Sequence, residues 1–167
     1  MSDLQISEPA TLVSSEPRIV ARRAAPATLR MCLVVSASPQ RSQWLVGAAH
    51  QEHWATVVCR TADEAARQAV RNRIQLALVD LQSVPTGQEP AFRKLVEQLA
   101  ARDGPLVAVC GKSNDTMGEV WSRQLGVWMY LAGVDGESDV ALVCYEARKI
   151  VEKLIGQTER ATPSRSP

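Results

Sequence analysis

The chain has almost no net charge: 19 Lys and Arg against 18 Asp and Glu leave +1 over 167 residues. No strong field favours nucleic acid or an anionic membrane, so protein or small-molecule partners are expected. No window approaches 18 apolar residues and no apolar stretch follows a basic start, so neither a membrane span nor a signal peptide is expected. The cysteines Cys32, Cys59, Cys110 and Cys144 are widely spaced, without a C-x-x-C pair, and read as reduced core thiols of a cytoplasmic protein. Histidine is limited to His50 and His53, with no third ligand in view, so no metal site is expected. Neither serine nor cysteine occupies a nucleophile elbow, and catalysis is not expected. Gly111-Lys112-Ser113 follows a predicted strand, but Leu106 stands where a phosphate loop requires glycine, and the segment reads as a turn.

What is present is an ordinary globular composition, 46% hydrophobic and 22% charged, at a length that fits one domain plus tails. Residues 1–27 are rich in Ser and Pro without sustained period and read as a flexible arm. Within it, Leu12, Val13, Ile19 and Val20 are apolar, enough for a short helix or strand ordered by a partner or by the domain surface. Residues 157–167 read as a similar tail, leaving a domain over 28–156.

Five short apolar runs alternate with five helical patterns across this domain, as βαβ units around a parallel sheet require. The strands are predicted over Arg30 to Val35, Ala55 to Cys59, Leu76 to Asp80, Leu106 to Cys110 and Trp128 to Ala132. The continuous runs Leu76-Ala77-Leu78-Val79 and Leu106-Val107-Ala108-Val109 predict strands covered on both faces. Trp44, Leu45, Ala48 and Ala49 mark the first helix. Thr61 caps the second, with Ala62, Ala65, Ala66 and Val70 inward. Phe92, Leu95, Val96 and Leu99 mark the third, and Met117, Val120, Trp121 and Leu125 the fourth. The last opens at Ser138 or Asp139 and carries Val140, Val143, Cys144, Ala147, Val151 and Leu154 at helical spacing. Asp80 ends the third run, where open α/β sheets place ligands and chemistry.

In this order the segments from about Leu29 to Ile155 resemble the receiver domain of two-component response regulators. Cys32-Leu33-Val34-Val35-Ser36-Ala37-Ser38-Pro39 resembles the family's first strand and loop. Ala77-Leu78-Val79-Asp80-Leu81 resembles the third strand with its phosphoacceptor aspartate, and Gly126-Val127-Trp128-Met129-Tyr130-Leu131 the fifth strand with its switch aromatic. The resemblance implies a flavodoxin-like (βα)5 three-layer sandwich, doubly wound around a parallel five-stranded sheet of order 2-1-3-4-5.

The chain departs from the pattern at each position that would serve Asp80. Ser36 and Ala37 stand where the family holds Mg²⁺ with an acidic pair, Cys110 where it has a hydroxyl, and Gly133 where it has a lysine. No lysine occurs from Trp121 to Glu146. Mg²⁺ binding is therefore not expected, since the ion asks for near-octahedral oxygen ligation with carboxylates in the set. Without metal, cation and hydroxyl, phosphoryl transfer loses its positioning and charge neutralisation. Asp80 is expected to persist as the remainder of a dismantled site, accepting backbone N–H bonds, in a degenerate pseudo-receiver.

Aromatics other than Phe92, Trp44 and Trp54 gather late in the chain: Trp121, Trp128, Tyr130 and Tyr145. The resemblance implies that this is the dimer and effector face, and Trp and Tyr suit interfaces. The leading expectation is a stand-alone, non-enzymatic signalling protein acting on a partner kinase, an effector or a second copy of itself, with no output domain following. Two alternatives stand beside it. One is a phosphoacceptor at Asp80 with unusual ligands, where Lys112 could lean toward the carboxylate. The other is a flavodoxin-like binder of a small anion or cofactor using Ser36, Ser38 and Lys112.

Overall fold

The computed structural model describes residues 29–161; the arm over 1–27 and the end of the tail, 162–167, lie outside the described residues. The chain alternates β1 (Met31–Val35), α1 (Pro39–Gln51), β2 (Ala55–Cys59), α2 (Ala62–Arg71), β3 (Leu76–Asp80), α3 (Glu89–Ala100), β4 (Leu106–Gly111), α4 (Thr116–Gln124), β5 (Met129–Ala132) and α5 (Glu137–Ala161). The strands form one parallel sheet in the order β2-β1-β3-β4-β5. This is the expected (βα)5 sandwich of order 2-1-3-4-5.

Successive strand side chains alternate between faces, and that alternation builds two core layers. Cys32, Val34, Leu76, Leu78, Ala108 and Cys110 face the layer of α1 and α5. Leu33, Val35, Ala77, Val79, Val107 and Val109 face the layer of α2 and α3. β3 is buried along its whole length, as its unbroken apolar run requires. Trp54 locks the first layer: it is buried between α1 and β2 and donates from Nε1 to the Cys144 carbonyl of α5 at 3.1 Å. The turn that delivers it holds His53 at φ 61, a left-handed conformation.

The caps follow the sequence. Thr61 Oγ1 accepts from the Glu64 amide at 3.2 Å, and Asp63 and Glu64 occupy the first turn of α2. Phe92, Leu95, Val96 and Leu99 all turn inward from α3. Three helical faces differ from expectation. In α2 the inward residue is Ala69, one step before Val70, which is exposed. In α5 the apolar stripe is buried through Val151, but Leu154 is exposed where the helix outruns the sheet. The helix continues past 156 to Ala161.

The largest difference is α4. Its small residues Gly118 and Ser122 face inward, while Met117 is 77% exposed and Val120 is also exposed. Trp121 and Leu125 still reach the α2/α3 layer. With two of its bulky apolar side chains outward and a glycine and serine inward, the helix departs from the usual pattern of a surface helix.

Candidate functional site at the end of β3

Ser36, Asp80 and Cys110 occupy equivalent positions at the C-terminal ends of β1, β3 and β4, where Asp80 pairs with Cys110. Asp80 continues the alternation of Leu76 and Leu78, which puts its carboxylate on the side of the sheet covered by α1. It is fully buried. A carboxylate in that position must find donors within the protein.

It finds four. Oδ2 accepts from Ser36 Oγ at 2.8 Å, Ser83 Oγ at 2.5 Å and Arg41 Nε at 3.0 Å. Oδ1 accepts from the Gln82 backbone amide at 3.1 Å. Only one of these donors is the backbone N–H expected from sequence; the other three are side chains, and Arg41, in the first turn of α1, supplies the opposite charge. Arg41 also donates from Nη1 to the Val134 carbonyl at 3.1 Å, tying β3 to the loop between β5 and α5. Its side chain is only 13% exposed, and its guanidinium lies 5.7 Å from the Trp44 ring centroid.

The local sequence explains this placement. Ser38 caps α1 by accepting from the Arg41 amide at 3.4 Å, and Pro39 supplies a preset φ at the helix start. That cap fixes the first turn beside Ser36. A cation in the first helical turn opposes the helix dipole, and α1 carries no acid there. Such an arginine needs a compensating anion. Asp80 is that anion, and this is the sequence signal that could have identified the pair. Ser83, three residues beyond Asp80, had no comparable signal.

The other expected positions fall out as follows. Ala37 packs against the α2/α3 layer and offers no ligand atom beyond its backbone. Cys110 is fully buried, and its thiol is pushed up to about 12, chiefly by burial and then by the Asp80 charge. Gly133 has φ +64, and a Cβ there would stand 2.6 Å from Ser113 Cβ, so the backbone itself disfavours a side chain. Ser38 serves the helix cap and Ser36 serves Asp80. Lys112 borders a separate cleft of about 40 Å³ with Glu89, Arg93 and Asp115, so Arg41 takes the part considered for Lys112. His50 bonds Thr56 Oγ1 at 3.0 Å.

The residues present do not fit the divalent cation of the resembled family. Oδ2 of Asp80 already faces a guanidinium, and among the described residues no three His, Cys, Asp or Glu side chains gather into a metal-binding group.

The late aromatics divide between the two layers. Trp121 and Tyr130 pack on the α2/α3 side, Trp128 just before β5 packs on the α1/α5 side, and Tyr145 is exposed on α5. The Tyr130 hydroxyl is buried without a hydrogen-bond partner among the described residues. It lies against Gly111, where a Cβ would overlap it, and burial followed by the Asp115 and Glu119 carboxylates raises its pKa.

No protein-family model matches the sequence, and the comparison with curated proteins found no match. Solved structures do match. A CheY-like response regulator receiver domain protein from Methanospirillum hungatei is 20% identical, with a TM-score of 0.60, over 80% of this chain and 100% of that one. The chemotaxis response regulator CheY4 of Vibrio cholerae is 11% identical with a TM-score of 0.60, over 72% of this chain and 99% of its own. NtrX from Brucella abortus is 14% identical with a TM-score of 0.66, over 83% of this chain and 31% of NtrX. The chain thus has the receiver-domain fold. Among the described residues, no helix is long and apolar enough to cross a membrane.

Proposed function

We propose that this chain is a receiver-fold signalling protein that acts through contact with a protein partner and has no phosphoryl-transfer or other catalytic activity. The observation that carries this reading is the state of Asp80: fully buried, ion-paired to Arg41 and bonded by two hydroxyls on the same oxygen. A phosphoacceptor must present an oxygen to an incoming phosphorus with cations around it. Here Oδ2 is committed to three of the fold's own donors and Oδ1 accepts from the Gln82 amide.

Exposure of the chain to acetyl phosphate, or to beryllofluoride with Mg²⁺, tests this by intact mass and amide NMR. Unchanged mass and unshifted resonances around Asp80 are expected. Gain of one phosphoryl group on Asp80 would overturn the reading and restore the phosphoacceptor alternative.

The contact surface in this proposal is the edge of the sheet at β5. α4 exposes Met117 and Val120 on one side, and α5 exposes Leu142, at 63%, and Tyr145 on the other. Exposed apolar side chains of this size fit the core of a protein interface. The partner is a kinase, an effector or a second copy of the chain, in a reducing compartment such as the cytoplasm, where four unpaired buried cysteines are stable. Met117→Asp and Leu142→Asp should weaken association roughly tenfold or more while changing stability by under about 0.5 kcal/mol. Association unaffected by both substitutions would move the contact elsewhere.

A further inference from the structure

At the N-terminal ends of the strands, opposite Asp80, an apolar groove of about 520 Å³ opens between the β3 and β4 entry loops and the overhang of α5. Ile74, Leu99, Val151, Leu154 and Ile155 line it, and Leu154 is 54% exposed there. Arg73 and Arg102 stand on its rim against a single acid, Asp103, which leaves the rim positive. Arg102 is fixed in place by donating from Nη1 to the Ala69 carbonyl at 2.9 Å.

The first described residues lie beside this groove. Met31 exchanges bonds with Gln75, which lines it: the Met31 amide donates to Gln75 Oε1 at 3.0 Å, and the Gln75 amide donates to the Met31 carbonyl at 3.0 Å. Arg30 pairs with Glu152 on α5, next to Val151. The preceding 28 residues therefore join the domain at the groove's margin.

Two apolar pairs occur late in that segment, and their charges differ. Ile19-Val20 is flanked by Arg18, Arg22 and Arg23, which the rim arginines would repel. Leu12-Val13 is followed by Glu16, which they would attract. The stretch from Pro17 to Thr28 spans up to roughly 40 Å when extended, ample to return Leu12 to the groove. Covalent linkage over this length holds the segment at an effective concentration of order millimolar, so even a weak contact is populated.

The geometry points to the segment Leu12–Glu16 of this chain as the occupant of the groove, with Leu12 and Val13 on the apolar floor and Glu16 at Arg73 and Arg102. The inference is independent of how Asp80 is read. Binding there would join the α2–β3 and α3–β4 loops to the end of α5 and cover Leu154.

Native-state hydrogen exchange on the full chain tests it, comparing the natural sequence with the double variant Leu12→Asp, Val13→Asp. Both substitutions lie outside the domain, so folding of the domain is not at stake. Amides from Val151 to Ile155 and around Arg102 should exchange about threefold to tenfold faster in the variant. Arg73→Glu should give a similar loss of protection, and adding Glu16→Arg to it should restore protection. Equal exchange in the natural and double-variant chains would overturn the assignment. So would protection that vanishes on dilution, which would mark a second copy, or protection that appears only when decanoate is added, which would mark an amphipathic small ligand.

Discussion

Replacing Arg41 with methionine tests whether the ion pair at the end of β3 is a structural requirement. Met keeps most of the apolar stem and removes the guanidinium, leaving the Asp80 carboxylate fully buried with two hydroxyls and one amide. Removing one partner of a buried pair costs about 3–5 kcal/mol, because the remaining charge is uncompensated. Against a total stability of roughly 5–15 kcal/mol for a domain, that is a large fraction. Asp80→Asn is milder, about 1–3 kcal/mol, since Arg41 keeps some exposure and its bond to the Val134 carbonyl. The double variant should lose less than the sum of the two, with a coupling of about 2–3 kcal/mol. Urea unfolding followed by tryptophan emission, with buried Trp54 as reporter, gives all four corners of the cycle. The melting temperature of the Arg41 variant should fall by roughly 10–20 °C. A loss below about 1 kcal/mol with no coupling would refute the reasoning, because it would mean that Asp80 does not depend on Arg41 for its charge balance.

Three further outcomes follow from the packing. Cys110 and Cys144 are pushed from 9.0 to about 12, chiefly by burial in both cases, so the folded state holds those protons more tightly than the unfolded chain. That stability is fully present below pH 9 and is lost as pH rises from 9 toward 12, by up to about 1.4 kcal/mol per pH unit per thiol. Urea midpoints across this range should fall, and less steeply in Cys144→Ala, whereas a flat profile would refute it. His53→Gly should raise stability by about 0.5–1 kcal/mol, since φ 61 strains a residue with a Cβ; a differential scanning calorimetry shift of a few degrees upward is expected. Gly133→Ala should cost about 1–3 kcal/mol from positive φ and the approach to Ser113, and an unchanged urea midpoint would contradict that geometry.

The strands were legible because β3 and β4 carry unbroken apolar runs and each crossover carries a helical period, whereas the sheet order was implied only by the resemblance to receiver domains. The inner face of α3 was legible for the same reason, since Phe92, Leu95, Val96 and Leu99 leave one choice of face. The face of α4 was not. Its periodic apolar residues Met117 and Val120 point outward, and hydrophobic period alone cannot distinguish a stripe that meets the core from one left for another surface. At the site, the absence of acids at Ser36 and Ala37 and of lysine at Gly133 could be read directly. The substitute cation could not be located by matching positions, because Arg41 enters from α1, whereas the family's lysine follows the fifth strand. Its sign, opposed to the helix dipole, was the available clue.

On the proposed reading, Arg41 also bears on how the protein would signal. A receiver that switches needs two arrangements of its loops separated by a small free energy, and a ligand that distinguishes them. In this chain one guanidinium joins Asp80 on β3 to the Val134 carbonyl on the loop before α5, and the pair is almost dry. Breaking that clamp to open a second arrangement costs about 3–5 kcal/mol unless a new partner reaches Asp80. The corresponding open population lies well under one per cent. On the proposed reading, the β5 edge is therefore presented in a single conformation, and control comes from the abundance of partners or from competition for that edge. Arg41→Met is the substitution that separates these modes: if association at Met117 and Leu142 changes with the clamp removed while the fold survives, the loops and the edge are coupled. If association is unchanged, the clamp serves stability and the edge acts alone.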